Sequence, residues 1–193
     1  MKLYDIIYAD PPWKYSRSTP EKRVDGSIYY LNPRTHYQVM TDDEIKNMEV
    51  PSEKNALLLM WTTAVKLPIG LEVVESWGFK YITNIVWDKQ SWLFHGRWHG
   101  CQHEHLLIAR KGSFSPPHRD LKPDSVIGIK RKISNAYLPS YHSKKPQYFR
   151  NLINDWYPDK SKIELFARVT SVGFDTFGDQ VSSHKYTTLP MFM

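Results

Sequence analysis

The chain lacks the features that mark secreted or membrane-spanning proteins. Its single cysteine, Cys101, excludes an internal disulfide, which suits a reducing compartment. No apolar run approaches the roughly 20 residues of a membrane span, and the amino-terminal residues carry no signal-peptide core. We therefore expect a cytoplasmic protein with no membrane segment. The sequence also has no G-x-G-x-x-G, so the conventional dinucleotide fingerprint is absent.

What the chain does have is positive charge and aromatic rings. The formal net charge of +6 favours a polyanionic partner. Seven tryptophans and twelve tyrosines can fill a core, but interleaved with basic residues they also suit the stacking of bases. With 193 residues, 41% of them hydrophobic, the chain has enough material for one domain with a core. We expect a single domain over residues 1–181, followed by a short carboxy-terminal tail over 182–193.

Apolar runs and helix signals alternate along the chain. The runs predict strands over residues 3–9, 56–61, 81–87, 105–109 and 163–167. Helices are predicted after a capping box that begins at Thr41, and over residues 67–77 and 146–156. The polar stretches 14–37 and 112–145 are predicted to be loops. This alternation predicts an α/β fold with a mostly parallel, doubly wound sheet.

A cluster of histidines with one cysteine has the residue types of a zinc site. It consists of His95, His99, Cys101, His103 and His105. The spacing is not that of a standard zinc finger, and no second ligand pair follows. A strand beginning at His103 would place the rings of His103 and His105 on one face. We expect packing or a nucleic-acid contact here, and no metal.

The sharpest motif is Asp10-Pro11-Pro12-Trp13, which stops the first predicted strand and is our candidate catalytic corner. The exocyclic nitrogen of adenine is a poor nucleophile because its lone pair is delocalised into the ring. The Asp10 carboxylate and the Pro11 carbonyl can each accept one of its N–H bonds and so favour a usable lone pair. Trp13 offers a flat face for an extruded base. Taken alone, the motif is as readily a turn with Trp13 packed in the core.

Ordered blocks from Tyr4 to about Val181 resemble the adenine methyltransferases related to the seventy-kilodalton catalytic subunit of the messenger-RNA N6-adenosine methyltransferase. Bacterial and phage relatives belong to the same group. Besides the Asp-Pro-Pro-Trp motif, the matching blocks are His36-Tyr37, Met40-Thr41-Asp42-Asp43-Glu44, Leu59-Met60-Trp61-Thr62-Thr63, Trp77-Gly78-Phe79, Ile85-Val86-Trp87-Asp88-Lys89, His103-Glu104-His105, Arg110-Lys111-Gly112, His142-Ser143-Lys144-Lys145-Pro146, Lys162-Ile163-Glu164-Leu165-Phe166-Ala167-Arg168 and Gly178-Asp179-Gln180.

The resemblance implies a Rossmann-like methyltransferase fold with a permuted motif order, in which the catalytic motif comes first and the cofactor strand last. It also implies S-adenosylmethionine as the cofactor. The implied cofactor residues are Asp10, Lys145, Arg168, Asp179 and Gln180, and those implied near the acceptor adenine are Tyr37 and Glu104.

Within this set, Lys145 is expected to hold the cofactor's carboxylate. A cation just before the helix-opening Pro146 can meet an anionic group near the helix amino terminus. Arg168, Asp179 and Gln180 are expected at the ribose. Two departures from the family pattern matter here. Asp179 stands where Asn is frequent, and residues 169–171 replace a histidine-containing segment, which leaves one ribose contact unassigned.

We expect a nucleic-acid substrate, and DNA is favoured over RNA. Basic residues in the two predicted loops are assigned to phosphates: Arg17, Lys22, Arg23, Lys130 and Arg131. Alternatives are methylation of RNA, methylation of the cytosine amino group, and a non-catalytic nucleic-acid-binding subunit with the same fold. The sequence leaves open whether the chain works alone, as a homodimer or as a heterodimer.

Overall fold

The computed structural model describes residues 2–15, 19–22, 28–31, 38–90, 98–130 and 144–178. Its strands and helices have the following bounds: β1 Tyr4–Ala9, β2 Thr19–Lys22, β3 Ile28–Leu31, β4 Gln38–Val39, α1 Asp42–Lys46, β5 Ser52–Thr62, α2 Leu67–Ser76, β6 Lys80–Asp88, β7 His103–Lys111, β8 Val126–Gly128, α3 Gln147–Trp156, β9 Lys162–Leu165 and β10 Asp175–Phe177. Short 3₁₀ helices cover Ala64–Lys66 and Arg119–Leu121.

Seven strands form one sheet in the order β10-β9-β1-β5-β7-β6-β8. Every neighbouring pair is parallel except the two that involve β7, which runs antiparallel to both β5 and β6. This confirms the predicted α/β fold with a mostly parallel sheet. Because β7 alone is reversed, its first residues lie at the end of the sheet where β1, β5, β6 and β9 finish. We call this the carboxyl end of the sheet.

Two apolar layers cover the two faces of the sheet, which explains the nearly continuous apolar runs of its central strands. On one face, Ile7 and Ala9 of β1 belong to a cluster that includes Val73 and Trp77 beside α2. On the other face, the alternate β1 residues pack in a second cluster with Phe149, Ile153 and Trp156 at α3. The period-2 alternation of β1 therefore reaches two cores.

The predicted loops are wrong in part, because they contain short strands. In the stretch 14–37, β2 and β3 pair antiparallel and continue through β4 into a separate three-stranded sheet. In the stretch 112–145, β8 extends the main sheet beside β6. These strands have two to four residues each, too few for an apolar alternation to stand out.

The permuted motif order also needs a correction. The predicted cofactor strand, β9, ends at Leu165 and not at Ala167, and it is not the last strand, since β10 follows and pairs with it at the border of the sheet. With only Asp175, Thr176 and Phe177, β10 offers little sequence signal. The catalytic motif does come first, directly after β1.

Helix signals in the sequence were more informative than strand ends. The predicted capping box is present: the Thr41 side chain accepts from the backbone N–H of Glu44, whose carboxylate accepts from the backbone N–H of Thr41. Helices α2 and α3 lie within one residue of their predicted limits. Among the described residues, no helix has the length and apolar content needed to cross a membrane. The single-domain limits of residues 1–181 stay a prediction.

Candidate active site

Chain segments from five strands meet at the carboxyl end of the sheet. Asp10 directly follows β1, and its backbone N–H donates to the Leu165 carbonyl at the end of β9 (3.4 Å). Glu104 is the second residue of β7, and Lys89 directly follows β6. Ligands in such sheets gather outside the carboxyl ends of the strands. The topology therefore brings together residues separated by up to about 150 positions.

The central contact of the site is an ion pair between Asp10 and Lys145. Lys145 Nζ lies 2.7 Å from each carboxylate oxygen of Asp10, and the two side chains are 3% and 16% exposed. Lys145 precedes Pro146, which opens α3. Burial lowers the pKa of the Lys145 ammonium, but the negative charges of Asp10 and Glu104 outweigh it, so the pKa lies above the ordinary value. Lys145 is therefore a buried cation at the catalytic corner.

Two further charges continue this contact into a row of four. Glu104 Oε2 lies 3.2 Å from Lys145 Nζ, and Glu104 Oε1 lies 2.6 Å from Lys89 Nζ. Burial raises the pKa of the Glu104 carboxyl, and the positive charges of Lys145 and Lys89 outweigh it, so the pKa lies below its usual value. The signs alternate from Asp10 through Lys145 and Glu104 to Lys89, and their sum is zero.

Backbone hydrogen bonds fix the Pro-Pro-Trp part of the corner. The Pro11 carbonyl accepts from the Trp13 N–H at 2.9 Å, and the Pro12 carbonyl accepts from the Met40 N–H at 2.8 Å. The Lys14 N–H donates back to the Met40 carbonyl at 2.9 Å. A carbonyl oxygen has two lone pairs, so Pro11 keeps acceptor capacity for a ligand. Pro12 serves the chain itself, by holding the segment before α1 against the corner.

The Trp13 ring lies largely in the core. It is 5% exposed, and its indole N–H donates to the Trp61 carbonyl at 3.3 Å. Tyr15, two residues later, is 37% exposed. The Tyr15 hydroxyl is 3.0 Å from Thr63 Oγ1. Tyr15 is thus the more accessible ring, and sequence reasoning missed it. Its position two residues after Trp13, in an extended segment, was the available signal.

Lys66 lies between these two rings. Its Nζ is 6.0 Å from the Trp13 ring centroid and 5.8 Å from that of Tyr15, and both Asp42 carboxylate oxygens accept from it at 2.6 and 2.9 Å. A cation near a ring face is attracted by the ring's quadrupole. The Asp42–Lys66 pair therefore joins the amino terminus of α1 to the aromatic side of the site.

A cleft of about 40 Å³ opens at this corner, and we call it the Asp10 cleft. It is lined by Asp10, Pro11, Trp13, Tyr15, Trp61, Thr62, Thr63, Glu104, Lys145 and Arg168. Its volume suits a few water molecules, so it is the polar end of a site and not the space of a whole nucleoside. The segments that follow its lining residues in sequence, 16–18 and 179–180, and the segment 131–143 just before Lys144, lie outside the described residues.

A larger cavity of about 590 Å³ lies elsewhere, against the first half of β6. None of the predicted site residues lines it; its walls include Tyr81, Phe114 and Trp156. Size would favour this cavity, but the paired carboxylates and ammonium groups of the Asp10 cleft are the groups able to do chemistry on an amine. We therefore place the candidate active site at the Asp10 cleft.

Arg168 reaches the Asp10 cleft through an irregular segment after β9. Phe166 has a positive φ of 62°, which is rare for a residue with a side chain. A Cβ on Gly178 would lie 2.2 Å from the Ala167 carbonyl oxygen, so only glycine allows this close approach. Because Asp179 and Gln180 follow Gly178 directly in the chain, the predicted ribose residues start from a point next to Arg168.

Several predicted site residues fall outside the cleft or outside the described part of the chain. Lys130 is exposed, and Lys22 is the last residue of β2. The remaining predictions lie outside the described residues: Arg17, Arg23, Tyr37, Arg131, Asp179 and Gln180. Their assigned roles stay predictions.

The histidine cluster is packed on β7, as the strand periodicity predicted. The rings of His103 and His105 are 4.9 Å apart between centroids, and His105 Nδ1 is 3.3 Å from the Asn84 side-chain nitrogen. Burial, with the neighbouring His103, lowers the pKa of the His105 imidazole. In the described part of the chain, no three His, Cys, Asp or Glu side chains are arranged to hold a metal. His95 lies outside that part.

Comparison with known proteins agrees with this geometry. The MT-A70 family matches residues 4–180. Type II methyltransferase M.MunI of Mycoplasma sp is 32% identical over 198 residues, which covers 95% of this chain and 80% of that protein. The putative N(6)-adenosine-methyltransferase MT-A70-like of Medicago truncatula is 28% identical over 189 residues, covering 93% of this chain and 26% of that protein. Human N(6)-adenosine-methyltransferase catalytic subunit METTL3 is 26% identical over 194 residues, covering 92% and 28%.

The chain thus spans about a quarter of the length of the plant and human relatives, but most of the length of M.MunI. The family match includes the Asp-Pro-Pro-Trp corner, Glu104, Lys145 and Arg168, that is, each polar group around the Asp10 cleft that the sequence had singled out. With nearly the whole chain matched, the protein belongs to the MT-A70 family of methyltransferases.

Proposed function

We propose that the protein transfers a methyl group from S-adenosylmethionine to the N6 amino group of adenine in DNA. The observation that carries this proposal is the Asp10–Lys145 pair at the carboxyl end of β1, where Lys145 Nζ lies 2.7 Å from both carboxylate oxygens. A carboxylate and a carbonyl on one short corner provide the two acceptors that an aromatic NH₂ group needs. The membership in the MT-A70 family supports the same reaction.

The polar groups of the Asp10 cleft fit the amino-acid end of this cofactor. An α-amino acid presents an ammonium and a carboxylate close together, and the cleft presents Asp10 and Lys145 with the opposite charges in contact. Arg168 lines the same cleft, and the Gly178 approach starts Asp179 and Gln180 beside it. When bound, the cofactor supplies a methyl group activated by its sulfonium charge.

The chain's own contribution to the reaction is to hold and align the amine. Asp10 is the acceptor for one N–H bond and the Pro11 carbonyl for the other, which withdraws the nitrogen lone pair from the ring. Lys145 keeps the Asp10 carboxylate ionised and oriented, because it is a buried cation bonded to both oxygens. Displacement at a methyl carbon needs little acid–base help, so the main gain in rate comes from this alignment.

For stacking of the acceptor base, Tyr15 complements Trp13. Trp13 is 5% exposed and Tyr15 is 37% exposed, and both line the Asp10 cleft. Stacking on an aromatic side chain contributes about 1–3 kcal/mol per base. We assign Trp13 to the floor of the site and Tyr15 to the accessible face on which an extruded base stacks.

DNA is proposed as the substrate because the chain covers 80% of a Type II methyltransferase. RNA is the second candidate, favoured by the N(6)-adenosine-methyltransferase relatives, of which the chain covers about a quarter. In both cases the net charge of +6 favours the polyanion. Whether the protein acts as a monomer or as a dimer is not part of the proposal.

The test uses purified protein, methyl-labelled S-adenosylmethionine, and either DNA or RNA, followed by digestion to nucleosides. We expect label in N6-methyldeoxyadenosine with the wild type and none with Asp10→Asn. Asp5→Asn is the matched control, since Asp5 also lies on the β1 segment and pairs with a lysine, Lys160, at 3.0 Å, but at the opposite end of the strand. Label in a cytosine product, or turnover by Asp10→Asn, would contradict the proposal.

A further inference from the structure

Lys89 is a largely buried charge that the proposed reaction does not use. Its Nζ lies 2.6 Å from Glu104 Oε1, and its side chain is 17% exposed. Its backbone N–H donates to the Gln102 carbonyl at 2.9 Å, two residues before Glu104, so its position next to Glu104 is fixed from both ends of the residue. Burying a lysine side chain costs free energy unless it is paired, so its place here calls for a physical role.

Glu104 is the group through which Lys89 reaches the site. Glu104 bonds Lys89 with one oxygen and approaches Lys145 with the other, at 3.2 Å. Without Lys89, Lys145 would share its single positive charge between two carboxylates, those of Asp10 and Glu104, and this group would carry a net charge of −1. With Lys89 the row of four is neutral. Arg168 is the other cation that lines the cleft.

This difference in charge matters for an anionic ligand group at Lys145. A carboxylate approaching a group with net charge −1 is repelled as it loses water, whereas a neutral row with Lys145 at its centre presents an ammonium without that repulsion. The interaction is weakly screened because Lys145 and Glu104 are 3% and 10% exposed. Lys89 therefore acts on Lys145 at one remove, through the carboxylate between them.

We propose that Lys89 is a positioning residue for cofactor binding: it neutralises Glu104 and so leaves Lys145 able to hold the cofactor's carboxylate. This inference rests on the proposed function, because it needs a ligand with an amino-acid carboxylate. It predicts that Lys89 matters for ligands that carry this carboxylate and not for those that lack it.

The experiment measures equilibrium binding of two nucleosides by calorimetry. S-Adenosylhomocysteine carries the amino-acid group, and 5′-methylthioadenosine lacks it. Lys89→Met should weaken S-adenosylhomocysteine on the order of tenfold, as for other contacting charges, and leave 5′-methylthioadenosine within twofold. Lys89→Arg should restore the affinity. Lys111→Met is the matched control, since Lys111 also lies near an aromatic ring, Phe79, and bonds a neighbour, Ser52, at the opposite end of the sheet.

A double variant separates the charge effect from a loss of packing. In Lys89→Met with Glu104→Gln, one positive and one negative charge are removed together, so the row is neutral again and S-adenosylhomocysteine affinity should recover most of the loss. Equal weakening of both nucleosides by Lys89→Met, no weakening at all, or no recovery in the double variant would overturn the inference while leaving the proposed function intact. Failure of the wild type to bind S-adenosylhomocysteine would overturn both.

Discussion

The buried pair of Arg150 and Glu164 gives the sharpest prediction about stability. Arg150 Nε donates to Glu164 Oε2 at 2.8 Å and Nη2 donates to Oε1, so the pair is bidentate, and the side chains are 4% and 2% exposed. Arg150 Nη1 also donates to the Lys145 carbonyl at 3.3 Å. The pair thus fastens the start of α3 to β9, and it holds the backbone of the lysine that contacts Asp10.

Replacing Glu164 by glutamine removes one charge and leaves the Arg150 guanidinium buried beside a neutral amide. Breaking a buried ion pair by removing one partner costs about 3–5 kcal/mol, because the other charge stays uncompensated. Glutamine keeps the shape and one acceptor oxygen, which places Glu164→Gln near 3 kcal/mol. A domain of this kind has only about 5–15 kcal/mol of stability in total. The variant should therefore remain folded but lose a large part of its free energy of unfolding.

The assay is urea unfolding followed by tryptophan fluorescence, with slope and midpoint fitted separately. The double variant Arg150→Met with Glu164→Leu should be more stable than Glu164→Gln, since it leaves no buried charge unpaired. The surface change Asp120→Asn, in an exposed pair with Arg119, is the control and should cost well under 1 kcal/mol. A Glu164→Gln cost as small as that of the control, or a double variant less stable than the single one, would refute the reasoning.

Three further predictions concern the site. Because the pKa of Glu104 lies below its usual 4.5, this group stabilises the fold fully above that pH and ceases to do so as the pH falls through the lowered pKa; Tm should drop less steeply on acidification in Glu104→Gln than in the wild type. Tyr15→Ala should raise the KM for nucleic acid about tenfold or more, and Tyr15→Phe, which keeps the ring, should not; equal effects would exclude stacking. DNA affinity should fall steeply with salt, and Lys130→Ala should lower the slope by about one, whereas an unchanged slope would remove Lys130 from the phosphate contacts.

Much of the fold could be predicted from the sequence, and the exceptions have a common physical reason. Strands β1, β5 and β7 are buried on both faces, so their sequences are apolar without interruption and easy to identify. Helix α1 has its capping box, and α3 has a proline before its first turn. Strands β8 and β10 have three residues each and owe their conformation to pairing with β6 and β9, which no local pattern records.

The candidate site shows the same division between local and distant information. Asp10 could be found from its motif, because the motif is contiguous and follows a buried strand. The contact between Asp10 and Lys145 joins residues 135 positions apart, and the role given to Lys145 in the sequence was contact with a cofactor, not with Asp10. Lys89 lay in a block that matched the family, yet nothing in its neighbours indicated that it pairs with Glu104. Pairing across a sheet is set by topology, so it became visible only with the strand order.

A carboxylate that accepts an amine proton must be ionised, and it must be partly sheltered from water for the contact to count. These demands conflict for an isolated carboxylate, since burial favours the protonated form. The row from Asp10 to Lys89 resolves the conflict by alternation, because each buried charge has neighbours of opposite sign and the sum is zero. Such a row is sensitive to single changes but tolerant of paired ones. Single substitutions in it should therefore disturb binding more than double substitutions that preserve neutrality, an order opposite to that expected from side chains acting independently.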